Sequence, residues 1–214
     1  MRHALALLAI LGPIPAAAHP HVFIGTGLTL VLDEANRLAA IRVTWSYDEL
    51  YSLLVLEERG LDPDYDGVLT PEELASLNGF DMAWIEGFPG DTYAYAEGAP
   101  LALGPPTDYV TTIEEGRIVT THTRRVETMP AGTAVVVKAY DPTFYTAYDL
   151  SRGVTVEGGA GCAAEHVPAD LDAAYTMLEE LLYGPRSGEW SEDEFPEVGE
   201  AFADEVRLTC ASAS

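Results

Sequence analysis

The sequence predicts an α+β fold in which an antiparallel β-sheet carries an inserted EF-hand-like helix–loop–helix and a C-terminal helix. Ile41, Val43 and Trp45 alternate with polar residues, which is the period of a half-buried strand. Leucines between residues 50 and 56 follow a helical spacing instead, and an acidic loop comes after them. Apolar residues recur at helical intervals again over 170–183. These patterns favour strands and helices in separate stretches of the chain.

The N-terminal half of the chain is predicted to form a hairpin followed by two helices. Loose alternation over 21–33 and stricter alternation over 38–45 predict two antiparallel strands, with a turn over 33–36. A possible capping box opens a helix over 46–59. A second short helix is expected over 71–79, because proline is favoured at a helix start and glycine just past a helix end.

The C-terminal half is predicted to be mostly strands, followed by one helix. Residues 133–140 contain four consecutive apolar residues and are expected to form a central strand. Pro142 ends this strand, since proline cannot donate to a sheet. The other predicted strands lie at 92–95, 109–113, 117–126, 144–148 and 154–156. The last helix covers 170–183 and is amphipathic.

The composition excludes several classes of protein. The 214 residues include 35 acidic and 11 basic side chains besides five histidines, which gives a formal net charge of −24. Such a chain cannot neutralise nucleic-acid phosphates or bind an anionic membrane surface. Hydrophobic residues make up 48% of the chain, which is enough for a core and argues against intrinsic disorder.

The N-terminus has the features of a secretory signal peptide over residues 1–18. Arg2 provides positive charge, residues 4–11 are apolar, and Ala16 and Ala18 fit a cleavage site after Ala18. The apolar run is too short to span a bilayer, and no later apolar run is long enough, so no membrane insertion is expected. We therefore expect a periplasmic protein whose residues 19–214 form a single α+β domain, with the EF-hand-like insertion at about residues 48–79.

Two cysteines, Cys162 and Cys210, are predicted to form a disulfide. An exported chain meets an oxidising compartment, in which disulfides form and persist. The alternatives are a thiol metal site and a reactive cysteine, and no C-x-x-C spacing supports either.

The strongest motif is an acidic loop over 62–73 that matches the calcium-binding pattern D-x-D-x-D-G-x₅-E. Calcium takes six to eight oxygen ligands, and alternating aspartates in a tight turn point at one centre. The predicted ligands are Asp62, Asp64, Asp66, the main-chain carbonyl of Val68, Thr70 through water and both oxygens of Glu73. The alternative is an acidic surface turn in which Thr70 caps the next helix. A single loop of this kind indicates a structural calcium ion rather than a sensor.

The histidines suggest a second, transition-metal site. After cleavage, the α-amine and imidazole of His19 could bind one ion together, with His21 or the distant His122 completing the site. Imidazole suits zinc, nickel, cobalt and copper. Pro20 lacks the N–H needed for a square-planar amino-terminal site. Alternatively, His21 is an ordinary strand residue and His122 a hydrogen-bonded one, and we expect His166 to be structural or surface.

No catalytic motif is present, since the sequence lacks G-x-S-x-G, H-E-x-x-H, a Walker loop and a well-placed GxGxxG. We therefore expect a binding protein rather than an enzyme.

Three segments together resemble a known bacterial family: the start His19-Pro20-His21-Val22-Phe23-Ile24, the acidic loop, and Tyr140-Asp141-Pro142-Thr143-Phe144-Tyr145. This family has no established biochemical function and is described as the periplasmic component of an uncharacterised ABC-type transport system. The resemblance implies an association with nickel, cobalt or zinc permeases. It implies no catalytic residues, and the chain lacks the two-lobed bulk usual for a substrate-binding protein.

These observations predict a periplasmic metal-binding accessory protein of divalent transition-metal transport, with a structural calcium site and a divalent-metal permease as partner. Two alternatives stay open. One is a histidine-brace copper enzyme, and the other is a calcium-stabilised interaction module without a transition-metal site.

Overall fold

The computed structural model describes residues 20–129, 134–185 and 196–211. This part of the chain folds as two five-stranded β-sheets with three short helices. The strands are β1 (Val22–Leu32), β2 (Leu38–Tyr47), β3 (Thr92–Ala96), β4 (Ala99–Pro100), β5 (Leu103–Glu114), β6 (Arg117–Val126), β7 (Val135–Ala139), β8 (Thr146–Glu157), β9 (Cys162–Val167) and β10 (Glu205–Cys210). The helices are α1 (Glu49–Arg59), α2 (Pro71–Leu77) and α3 (Leu171–Tyr183).

The first sheet is built on the hairpin of β1 and β2 and has the strand order β5-β6-β2-β1-β8. Its strands pair antiparallel except that β8 runs parallel to β1. Every second residue of β1 and β2 faces the core, so Leu28, Leu30, Ile41 and Val43 are almost fully buried. The second sheet is antiparallel and has the order β4-β3-β7-β10-β9.

The main core combines residues from both sheets. Leu28 and Val43 of the first sheet belong to the same buried cluster as Val137 and Val206 of the second. Burying a side chain of this size contributes about 1.5–3 kcal/mol. The two sheets therefore stabilise each other through their inward faces.

The helices follow local capping signals. Asp48 caps α1 by accepting a hydrogen bond from the main-chain N–H of Tyr51, and Gly60 ends the helix in a left-handed conformation. The Ser52 hydroxyl accepts a hydrogen bond from the N–H of Ile118, which ties α1 to β6. None of the helices in the described residues is long and apolar enough to cross a membrane.

The predicted α+β fold is wrong, because β-structure dominates and forms two sheets rather than one. The segment predicted as an EF-hand-like insertion forms no separate helical layer: α1 contacts β6, and the seven-residue α2 contacts β5. The structure also joins the predicted strands 144–148 and 154–156 into the single strand β8 and adds β9 and β10. The signal-peptide prediction for residues 1–18 lies outside the described residues.

The predicted disulfide between Cys162 and Cys210 is confirmed. The two cysteines are directly opposite each other at the ends of β9 and β10. β9 is an edge strand of the second sheet and is held only by β10 within that sheet's described strand order. The bond therefore fixes the pairing of this edge.

Replacing both cysteines by alanine should lower the free energy of unfolding by about 2–4 kcal/mol, because the bond closes a long loop in the unfolded chain. Urea denaturation of the oxidised wild type and the double variant measures this difference. Reduced wild type serves as the control and should match the variant. Equal stability of the oxidised wild type and the variant would contradict the prediction.

Candidate metal site

The acidic loop between α1 and α2 curls around the side chain of Asp62. The main-chain N–H groups of Asp66 and Gly67 both donate to the Asp62 carboxylate, at 3.1 Å each. The N–H of Val68 donates to Asp66 at 2.8 Å. Gly67 has a φ of 76°, a left-handed conformation that glycine adopts without strain. The turn residues of the motif therefore shape the loop.

Three of the predicted ligands converge. One carboxylate oxygen from each of Asp62, Asp64 and Asp66 lies within 4.8 Å of the others. Asp62 is 6% exposed, whereas Asp64 and Asp66 are exposed. Ionised carboxylates at such distances repel one another, and a divalent cation between them would relieve the repulsion. An all-oxygen cluster matches the ligand preference of calcium.

The other three predicted ligands lie around the same opening, and the Glu73 carboxylate is not part of the close carboxylate cluster. Val68, Thr70 and Glu73 line a pocket together with Asp64 and Asp66. Glu73 accepts hydrogen bonds from the N–H and the hydroxyl of Thr70, both at 2.8 Å, and Thr70 in turn accepts one from the Glu73 N–H. These hydrogen bonds hold the pKa of Glu73 below its usual value. Glu73 therefore caps α2 as an anion.

The loop is attached to the core of the protein. Leu61 and Leu69, at either end of the turn, pack against the main buried cluster. Tyr65 and Gly67 line a second opening with Gly116, which lies in the turn between β5 and β6. Order in the loop is therefore coupled to the first sheet.

The structure does not bring the predicted transition-metal ligands together. His19 lies outside the described residues, and His21 immediately precedes β1, its ring 4.9 Å from the ring of Tyr145. His122 lies in β6 in register with Val43 of β2, which is in register with Leu28 of β1. Leu28 is seven residues beyond His21, a separation of roughly 23 Å along the strand. Metal–nitrogen bonds are only about 2 Å long, so His21 and His122 cannot share one ion in this structure.

His122 lies in the core instead. Its side chain is fully buried, and both of its ring nitrogens lack a hydrogen-bond partner among the described residues. The rings of Trp45 and Trp84 pack against it at centroid distances of 4.7 and 5.6 Å. Burial, with a smaller effect of the charge on Arg124, lowers the pKa of His122 to about 3. The imidazole is therefore neutral at physiological pH.

Two carboxylates, half-buried Asp81 and buried Asp91, are not predicted from the sequence. Asp81 accepts hydrogen bonds from the hydroxyls of Tyr47 and Thr120, both at 2.7 Å, and burial raises its pKa. Asp91 accepts one from the hydroxyl of Tyr148 at 2.7 Å, and burial raises its pKa to about 7. Both residues lie between α2 and β3, where no periodic pattern indicates which side chains point inward.

The start of the described chain borders an apolar pocket. Pro20 lines it together with Phe144, Asp149 and Asp204. The Nε2 atom of His166 lies 2.6 Å from Asp204, so His166 pairs with an acid at the surface as a structural residue would. Asp149 and Asp204 therefore line the same pocket as Pro20, the first described residue.

Comparison with known proteins identifies the family. Residues 4–210 match the sequence model of a family described as "Protein of unknown function (DUF1007)", so the chain belongs to that family. No curated protein matches the chain.

Replacing Asp91 by asparagine should remove part of the pH dependence of stability. The folded-state pKa of about 7 lies above the ordinary value of 3.8, so the folded state binds more protons, and this contribution to stability is lost as pH rises from about 4 to 7. The difference in unfolding free energy between Asp91→Asn and wild type should therefore increase with pH across this window, by up to about 1.4 kcal/mol per pH unit.

Denaturation of both proteins at several pH values between 4 and 8 measures the difference. Asp108→Asn, at an exposed acid, is the matched control and should give a nearly constant difference. His122 acts in the opposite direction, because its lowered pKa adds stability that is lost as pH falls from 6.5 to about 3. His122 is present in every protein compared, so its contribution cancels in the difference between variant and wild type. A difference in unfolding free energy between Asp91→Asn and wild type that stays constant from pH 4 to 8 would refute the prediction.

Proposed function

We propose that this member of the DUF1007 family is an exported metal-binding protein that holds a calcium ion in the loop of residues 62–73. The observation that carries the proposal is the convergence of the Asp62, Asp64 and Asp66 carboxylates within 4.8 Å. The loop is built from main-chain hydrogen bonds to two of these carboxylates, so the cluster belongs to the fold of the loop.

The residues around the cluster can complete a calcium coordination shell. The main-chain carbonyl of Val68, the hydroxyl of Thr70 through water and the carboxylate of Glu73 add oxygen ligands from the same opening. Bound calcium would neutralise the local negative charge and hold the loop in one conformation. Because Leu61 and Leu69 connect the loop to the core, the role proposed for the ion is structural.

A second ion is proposed at the amino terminus. Cleavage after Ala18 would expose the α-amine of His19 beside its own imidazole and that of His21, and these groups suit zinc, nickel, cobalt or copper. His122 is too far away to contribute to this site. Asp149 and Asp204 line the pocket that Pro20 also lines, which would add attraction for a divalent cation.

The proposed biological role follows from these two sites. We propose that the protein works in the periplasm as an accessory to a divalent-metal permease, receiving or delivering the transition-metal ion. The signal-like N-terminus and the disulfide support export to an oxidising compartment. The negative charge of the chain supports attraction of cations.

A second candidate function is a calcium-stabilised interaction module. The observation that favours it is a stripe of exposed leucines on α1, where Leu50, Leu53 and Leu54 are 64%, 44% and 53% exposed. Residues at this spacing lie on one helix face. In this alternative the calcium ion stabilises the loop that follows α1, and the amino terminus binds no metal.

Calcium should raise the melting temperature of wild type but not of Asp64→Asn/Glu73→Gln. An ion that binds only the folded state stabilises it by about 2.7 kcal/mol at a hundredfold excess over Kd. Calorimetry with calcium and with a chelator measures the shift. Asp172→Asn/Glu179→Gln removes the same two charges from exposed positions of α3 and should respond like wild type. The same calcium response in the loop variant as in wild type would exclude the site.

The amino-terminal site makes a separate prediction. One extra residue before His19 should weaken binding of copper, nickel or zinc, because the α-amine is then displaced from the His19 imidazole. His21→Ala should weaken it about tenfold, equivalent to about 1.4 kcal/mol. Titration calorimetry of the mature protein measures both affinities, with His166→Ala as the control. Equal affinity in all of these proteins would leave calcium as the sole supported metal.

A further inference from the structure

Arg124 is a buried cation without an acidic partner. Its residue surface is 4% exposed, and it forms no salt bridge within the described ranges. Buried charges are ordinarily paired, because removing an ion from water is costly. The chain has 35 acidic residues, so the absence of a carboxylate here is a specific property of this position.

The Arg124 guanidinium is fixed by hydrogen bonds but does not use all of its N–H donors. It donates from Nε to the carbonyl of Gly104, from Nη1 to that of Pro89 and from Nη2 to that of Leu103. Its central carbon lies 4.7 Å from the centre of the Trp84 ring. A guanidinium has five N–H donors, so these three hydrogen bonds leave about two donors, both on the terminal nitrogens.

The main chain at Gly90 packs closely against the Arg124 guanidinium. Gly90 has a φ of 71°, and a Cβ atom at this position would lie within 2.5 Å of both Trp84 and the Nη1 atom of Arg124. Only glycine fits so close an approach. The position of the guanidinium is therefore fixed by the surrounding backbone.

Arg124 lines a small pocket together with Thr92 and Tyr93, whose hydroxyls both lack a hydrogen-bond partner in the described structure. The pocket has a volume of about 140 Å³. Thr92 is 2% exposed. The remaining lining is mostly apolar or aromatic and includes Leu101 and Leu103, and it contains no acidic residue.

We propose that this pocket binds the carboxylate group of a short aliphatic acid. The planar guanidinium fork can donate two N–H groups to the two oxygens of one carboxylate, and the Thr92 hydroxyl can donate a third hydrogen bond. The leucines provide an apolar surface for a short alkyl chain. A volume of about 140 Å³ is below the 300–1,000 Å³ of pockets for drug-sized ligands, so the acid must be small. This site shares no residue with either proposed metal site.

Propionate and propionamide form a matched pair of probes, since they have almost the same shape and only propionate carries the charge. At constant ionic strength, set with sodium chloride, propionate should raise the melting temperature of the full mature protein in a saturable way. Propionamide and additional chloride should not. No saturable effect of propionate, or the same effect of both probes, would overturn the proposal.

Variants locate the site. Arg124→Gln should weaken propionate binding at least about tenfold in titration calorimetry, because it removes a charged hydrogen-bond donor. Arg125→Gln changes the neighbouring exposed arginine and should leave the affinity unchanged. Thr92→Val keeps the side-chain shape, leaves no group newly unpaired, and should weaken binding about threefold to tenfold.

If Arg124→Gln does not fold, Thr92→Val and the probe pair decide the question. If Thr92→Val binds propionate with wild-type affinity, propionate binds elsewhere and the proposed site is refuted. This outcome does not depend on whether the loop of residues 62–73 binds calcium.

Discussion

The structure depends on how it accommodates the polar side chains that β6 directs between the two sheets. Thr120, His122 and Arg124 alternate along this strand and are almost completely buried. A buried polar group without a partner costs about 1–3 kcal/mol, so Thr120 and Arg124 need hydrogen-bond partners from other segments, whereas His122 has only ring contacts among the described residues. The connection between α2 and β3 supplies most of these contacts. Its Asp81 accepts a hydrogen bond from Thr120, its Trp84 packs against His122 and Arg124, and one of its carbonyls accepts from the guanidinium.

The same connection links the polar interior to the acidic loop. Helix α2 follows the loop directly, and Leu77 at its end is fully buried. Asn78 then accepts a hydrogen bond from the N–H of Thr111 in β5. The segment that reaches Asp81 and Trp84 therefore starts from an anchored helix. An ion that orders the loop, as proposed for calcium, would restrict this segment as well.

The sequence predicted those features whose residues are close together along the chain. The Thr70–Glu73 capping box and the aspartate cluster involve near neighbours, so local pattern was enough to locate both. Sheet partners are chosen by burial over long separations, and no local pattern indicates that β8 pairs in parallel with β1 or that β9 and β10 form an edge. The fold-class prediction failed for this reason. The grouping of His21 with His122 has the same weakness, since their separation depends on strand register.

Charged groups are stabilised differently in the interior and at the surface of the protein. Burial favours the neutral form of His122, whose pKa falls to about 3, and of Asp91, whose pKa rises to about 7. Arg124 does not become neutral, because burial lowers its pKa only to about 10, and the guanidinium stays charged at neutral pH. It must be stabilised by contacts, which explains the three carbonyls and the Trp84 ring around it. Most acidic side chains that the structure describes are exposed, including Asp64 and Asp66 of the acidic loop. Buried Arg124 is therefore stabilised by main-chain carbonyls and an aromatic ring, whereas most of the described acidic side chains are stabilised by solvent.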